Sequence, residues 1–140
     1  MSRRVYLDAS ALVKLAVAEP ESSALAAYLE DAEALLTSAV AAVEVPRAVR
    51  TIGASKRALA VAADVLARCY RIELDSETSA AAAGVLPPEL RTLDAIHLAS
   101  ALRVRSELDA CVVYDRRLAA AAVAAGLPTV APGRSDDDSP

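Results

Sequence analysis

The chain has 140 residues, 55% of them hydrophobic and 24% charged, with a mean hydropathy of +0.33, which reads as one domain around a single buried core and excludes default disorder. The absence of Phe and Trp leaves that core to Leu, Val, Ile and Ala, a composition that favours helices lying close to one another or to a sheet. The net charge is -4, but without Asp136, Asp137 and Asp138 only 16 acidic residues face 15 basic ones, so the body lacks the basic excess common in nucleic-acid-binding domains, although clustered arginines would still permit RNA binding.

Residues 4–7 read as a short buried strand, followed by a helix over 10–18 that Glu19-Pro20 stops, because proline disfavours helical geometry in the residue before it. A helix over 21–31 and a strand over 34–37 come next. Ser38 is placed to cap a helix that reaches Ile52 and ends at Gly53, and Pro46 inside it removes a backbone donor, which predicts a kink beside Glu44. Residues 55–68 are helical by pattern, 70–74 form a strand, and Asp75-Ser76 start a helix ending near Gly84. Thr92 is the expected N-cap of a helix to about Arg105 that buries Leu93, Ile96 and Ser100. A strand over 110–114, a helix from Arg116 to Ala125 closed by Gly126, and a short strand at Thr129-Val130 complete the order.

Alternating short apolar strands and helices predict an α/β fold with a doubly wound parallel sheet covered on both faces. Residues 1–134 are expected to form the domain and 135–140 a flexible acidic tail. Arg3 and Arg4 before Ala16-Val17-Ala18 mimic an export signal, but Asp8 and Lys14 interrupt the apolar stretch it would need. The longest uncharged stretch, from Leu118 to Gly133, is too short and too rich in Gly and Pro to span a bilayer. Cys69 and Cys111 lack metal-type spacing and read as buried free thiols, which fits a reducing cytoplasm.

The chemistry is concentrated in four carboxylates. In a parallel sheet every strand ends on the same edge, and Asp8 and Asp115, each just after a strand, should both face it; ligands bind at that edge in this fold class. Asp94 lies in the first turn of its helix. Glu44 interrupts the apolar run from Ala39 to Val45 and must find a partner or water, since an uncompensated buried charge is costly. Each also has a plainer account: Asp8 and Asp115 as helix caps, Asp94 as a helix-dipole partner, Glu44 as a surface residue. Two carboxylates about 4 Å apart repel by roughly 4 kcal/mol at an effective dielectric of 20. If the four converge, a divalent cation removes the penalty, and oxygen ligation without paired His or Cys suits Mg²⁺ or Mn²⁺ rather than zinc. Such an ion points to attack of water on a phosphodiester.

The segments Tyr6-Leu7-Asp8-Ala9-Ser10-Ala11-Leu12-Val13-Lys14, Val43-Glu44-Val45-Pro46-Arg47, Leu93-Asp94-Ala95-Ile96-His97-Leu98-Ala99 and Val113-Tyr114-Asp115-Arg116-Arg117-Leu118 resemble those of PIN-domain ribonucleases, the nearest branch being the VapC-type toxins of type II toxin–antitoxin systems. The resemblance runs to about Ala131. It implies a PIN-like three-layer α/β/α sandwich with a central parallel sheet, Mg²⁺- or Mn²⁺-dependent endoribonuclease activity on RNA, and neutralisation by a VapB-like antitoxin. Position by position, the family's metal ligands and catalytic acids fall on Asp8, Glu44, Asp94 and Asp115, and its small hydroxyl on Ser10. Asp8 and Asp94 are expected to hold the primary metal. Glu44 either binds metal or holds a ligating water, Asp115 either completes a second site or orients water, and one ion and two ions both remain open.

Ser10 either hydrogen-bonds Asp8 or a phosphate, or caps the first helix. His97, three residues after Asp94, is better explained by packing with a hydrogen bond than by proton transfer, and no nucleophile-elbow pattern supports a Ser-His-Asp triad. Arg116, with Arg117, Arg91, Arg47 and Lys14, borders the acids and is placed to grip RNA phosphates or to remain solvated surface. The Ala-rich stretches 24–29 and 39–43 suit the core or a second copy, and a homodimer is expected. A phosphoacceptor receiver domain would need an acidic pair after the first strand, where Leu7 and Ala9 flank Asp8, and a haloacid-type phosphatase is excluded by Ser10 at its second acidic position. A PIN nuclease in RNA processing without an antitoxin, or a non-catalytic interaction module, is the alternative.

Overall fold

A computed structural model describes residues 3–135, so the expected tail, apart from Ser135, lies outside the described residues. Five strands, β1 (Arg3–Leu7), β2 (Ala32–Ser38), β3 (Cys69–Ile72), β4 (Ala110–Val112) and β5 (Thr129–Val130), form one sheet in the order β3-β2-β1-β4-β5. Every pairing is parallel. Among the described residues seven α-helices flank it: α1 (Ala9–Ala16), α2 (Ser22–Leu29), α3 (Ala41–Thr51), α4 (Lys56–Arg68), α5 (Ser76–Gly84), α6 (Thr92–Arg103) and α7 (Arg116–Ala124).

The period-two alternation of the strands divides the apolar residues between two layers. Val5, Leu7 and Val112 pack with Leu12, Leu25, Val45, Val49 and Val65 under α1 to α4. Tyr6, Cys111 and Val113 turn the other way, onto Leu98, Leu118 and Ala122 of α6 and α7. Helix α6 is buried from Ala95 through Ala101, as a central helix with small residues can be. This is the expected α/β/α sandwich with a parallel sheet.

The chain leaves β1 for β2 and β3 on one side and returns to place β4 and β5 on the other. The order therefore reverses between β1 and β4, and the carboxyl ends of strands at such a reversal leave a crevice where ligands bind. Asp8 and Asp115 follow these two strands.

Several local expectations are corrected. The first helix is capped by Asp8, whose carboxylate accepts from the Ala11 amide, not by Ser10. Thr92 is the first residue of α6 and Arg91 occupies its cap position without a side-chain cap bond; Leu93 is exposed rather than buried. Ser38 accepts a bond from the Val40 amide, but α3 begins only at Ala41 and continues through Pro46 to Thr51. Gly53 and Gly126 follow α3 and α7 with φ of 76° and 87°, the left-handed conformation that closes many helices and favours glycine.

Candidate active site

The carboxyl edge of the sheet is organised around Asp8. Its side chain is only 3% exposed, and Oδ1 accepts from the Ser10 hydroxyl at 2.7 Å and from the Ala11 amide at 3.0 Å. Beside it, the buried Thr37 hydroxyl donates to the Leu7 carbonyl at 2.7 Å and ties the end of β1 to β2. Ser10 thus serves the acid and not the helix end.

Asp115 caps α7, its Oδ1 accepting from the Leu118 amide at 2.9 Å. Glu44 points from α3 toward α6, where its Oε1 lies 2.7 Å from His97 Nε2. The other ring nitrogen, Nδ1, lies 2.8 Å from the hydroxyl of buried Tyr6. In Asp8, Glu44 and Asp115, then, one carboxylate oxygen is anchored to the protein; among the described residues no donor reaches the second.

Electrostatics link the four acids, with Asp94 as the hub. Burial holds its carboxyl above the ordinary value, the neighbouring Asp115 charge and more weakly Glu44 push the same way, and His97 and Arg91 oppose them. Burial likewise raises Asp8, against the Ala11 and Ser10 hydrogen bonds, with Asp94 adding repulsion. At both acids burial leads, and repulsion from neighbouring carboxylates adds to it. Cys111, raised to about 12 mainly by burial and then by Asp8, is a buried free thiol as expected, as is Cys69.

Among the described residues, no three acidic, histidine or cysteine side chains stand close enough together to enclose a metal ion. The expected quartet is an electrostatic neighbourhood rather than a closed shell. That arrangement still fits a hard divalent cation: the donors are all oxygen, Asp8 and Asp94 carry a destabilised negative charge, and Mg²⁺ characteristically keeps several waters while using only one or two carboxylates.

Arg47, Arg91, Arg116 and Arg117 are exposed, as an RNA-gripping role requires. Lys14 is not available for it, since its ammonium pairs with Glu19 at 2.7 Å and Glu21 at 3.2 Å and sits over the Tyr114 ring. An apolar cleft of about 460 Å³ along α5 and the start of α6, lined in part by Leu74, Leu86, Leu90 and Ile96, contains no titratable side chain.

Sequence reasoning placed His97 near the site but missed its bond to Glu44 and missed Tyr6 entirely. The i, i+3 spacing of Asp94 and His97 was a usable signal. Nothing local in β1 announces that Tyr6 meets a histidine ninety-one positions away.

A parallel sheet with acids flanking its reversal point defines a class of α/β proteins with an acidic, oxygen-rich ligand site. The PIN domain model matches residues 5–124, and the chain belongs to the PIN-domain family, among its VapC-type ribonucleases. It is 47% identical over 135 residues to Ribonuclease VapC35 of Mycobacterium tuberculosis, spanning 94% of this chain and 98% of that protein. Ribonuclease VapC46 of the same organism is 45% identical over 128 residues, covering 91% and 97%. The crystal structure of M. tuberculosis VapC20, a Sarcin-Ricin loop cleaving toxin, superposes with a TM-score of 0.71 over 91% of this chain and 99% of that one, at 16% identity, which speaks to the shared fold.

Proposed function

We propose that this chain is the RNA-cleaving toxin of a type II toxin–antitoxin pair: a Mg²⁺- or Mn²⁺-dependent endoribonuclease that acts in the cytoplasm, forms a homodimer and is neutralised by a VapB-like antitoxin. Residues 1–134 form its PIN domain. The observation that carries the reading is the match of the PIN domain model to residues 5–124, with Asp94 lying near enough to Asp8, Glu44 and Asp115 for their charges to act on one another. Full-length likeness to proteins named as VapC ribonucleases supports it. Among the described residues no helix is long and apolar enough to cross a membrane.

In this reading Asp8 and Asp94 would hold the ion, and Glu44 and Asp115 would bind it or orient water around it. A bound divalent ion supplies Lewis-acid polarisation of a phosphate oxygen and a more acidic water. Ser10 fixes the rotamer of Asp8 through its 2.7 Å bond, so that the acid meets its ligand preorganised. Arg116, with Arg117 and Arg91, attracts the RNA backbone, an interaction that added salt weakens.

The test is cleavage of total RNA by the purified protein. Activity is expected in Mg²⁺ or Mn²⁺, absent in EDTA, and restored by either ion. Induction of the protein alone should arrest growth, and co-expression with the product of a neighbouring small gene should relieve the arrest. Cleavage unaffected by EDTA overturns the metal reading; arrest that no neighbouring gene product relieves favours a PIN nuclease working without an antitoxin.

A further inference from the structure

We propose that His97, oriented by Tyr6, is a positioning residue for Glu44, so that Tyr6, His97 and Glu44 form a buried hydrogen-bonded strut that fixes one acid of the site. The proposal rests on the metal-dependent reading above and deepens it.

His97 is the single histidine of the chain and only 2% exposed. Both ring nitrogens are engaged, Nε2 with Glu44 Oε1 at 2.7 Å and Nδ1 with the Tyr6 hydroxyl at 2.8 Å, and the Tyr6 ring meets the imidazole edge-on, 79° between planes. An ionised carboxylate only accepts, so Nε2 carries the proton of this bond. The neutral tautomer with Nε2–H leaves a lone pair on Nδ1, and the Tyr6 hydroxyl is the donor that matches it. The Glu44 carboxylate therefore fixes the tautomer, and the Tyr6 hydroxyl, which can donate, holds the opposite edge of the ring in place.

Location argues for function over packing. Glu44 belongs to the α1–α4 layer and His97 to the α5–α7 layer, so their bond crosses the carboxyl edge of the sheet beside Asp8 and Asp94. Packing requires only that the buried imidazole and phenol satisfy each other. Glu44, 16% exposed and with water within reach, is nonetheless turned inward to the ring. Its three side-chain torsions are thereby restrained and Oε2 stays free of protein donors among the described residues. Partners of this kind, one bond removed from a ligand, typically alter metal affinity by about 10- to 100-fold when removed.

The experiment is Mn²⁺ titration calorimetry on the full-length protein, with thermal unfolding in EDTA and steady-state cleavage measured alongside, for the parent, Tyr6→Phe, His97→Gln, His97→Leu and Asp94→Asn. His97→Leu should weaken Mn²⁺ binding by about 10-fold or more and lower kcat with KM little changed. His97→Gln, whose amide can still donate to Glu44, should recover part of the affinity. Tyr6→Phe, which loses one hydroxyl, should fall between His97→Leu and the parent. If all folded His97 and Tyr6 variants bind Mn²⁺ within about twofold of the parent and only unfold at lower temperature, the strut is packing and the proposal is overturned. Asp94→Asn separates the two levels: if it too binds like the parent, the metal reading has failed; if it alone loses binding, only the role of His97 has. Should His97→Leu not fold, Tyr6→Phe and His97→Gln decide.

Discussion

Asp8 and Asp75 occupy nearly the same local structure and end in opposite electrostatic states. Each follows a strand, Asp8 directly after β1 and Asp75 three residues after β3, and caps the next helix, with φ of -78° and -80° and ψ of 178° in both. Each accepts from the amide three residues on, Ala11 at 3.0 Å or Thr78 at 2.8 Å. Asp75, however, is half exposed and bonds Arg103 at 2.8 Å; the Thr78 amide and then Arg103 hold its carboxyl down at about 2. Asp8 is buried, with Asp94 as a repelling neighbour, and is pushed up, mainly by that burial. Capping and ligation therefore do not compete as explanations, because the cap engages one oxygen and the surroundings decide the use of the other.

The largest expected effect breaks the pair apart by activity. Asp8→Asn and Asp94→Asn should reduce RNA cleavage by about 1,000-fold, near 4 kcal/mol of barrier at 1.36 kcal/mol per tenfold. Asp75→Asn should leave it within about twofold, since its partners are Arg103 and a helix end. Equal losses in initial-rate assays across the three variants would show that both caps matter only for folding. Next in size is the response to metal: Mn²⁺ at 100 times its Kd should stabilise the parent and Asp75→Asn by about 2.7 kcal/mol. Asp94→Asn should show little of that gain in denaturant titrations, and a full gain would remove Asp94 from the ligands.

The strand–helix order and the parallel sheet could be read from the chain, because apolar runs and Gly and Pro stops are local signals, and four spaced acidic motifs carried the resemblance to the family. Asp75 carried the same local signature as Asp8, and its low carboxyl value depends in part on Arg103, which folding brings from α6. Strand order, and with it the reversal between β1 and β4, depends on crossovers that no local pattern records. For the same reason Lys14 looked free until its partners Glu19 and Glu21 came into place, and the bond of Ser10 to Asp8 was one of two open readings.

A smaller effect sharpens the contrast through pH, measured without metal. A carboxyl raised in the folded state binds protons more readily there than when unfolded, so its stabilising contribution is full below the ordinary value of 3.8 and is lost as pH rises through the raised folded value. Asp8 and Asp94 should therefore make the EDTA-treated protein gain stability as pH falls from 7 toward 3.8. Asp75 has the opposite sign: its contribution is present above 3.8 and is lost as pH falls toward about 2. Urea titrations across this range should show Asp8→Asn flattening the first slope and Asp75→Asn the second. Identical profiles for the two variants would mean that burial of Asp8 has no electrostatic consequence.

The smallest expected effect is a difference in sign at one pH. At pH 7 in EDTA, Asp8→Asn should raise Tm, because asparagine caps a helix about as well as aspartate and the substitution removes a charge that is buried and repelled by Asp94. Asp75→Asn keeps its cap too but gives up the attraction of Arg103, and should lower Tm slightly. The fall stays small because the guanidinium still bonds Glu77 at 3.0 Å and the Thr78 hydroxyl, and exposed ion pairs contribute little. Saturating Mn²⁺ should then reverse the ranking, since the parent gains from an ion that Asp8→Asn holds poorly. A protein that is less stable with its acid intact until a cation arrives stores at Asp8 part of the affinity with which it binds that cation, whereas the same residue type at Asp75 contributes to stability with no ligand at all.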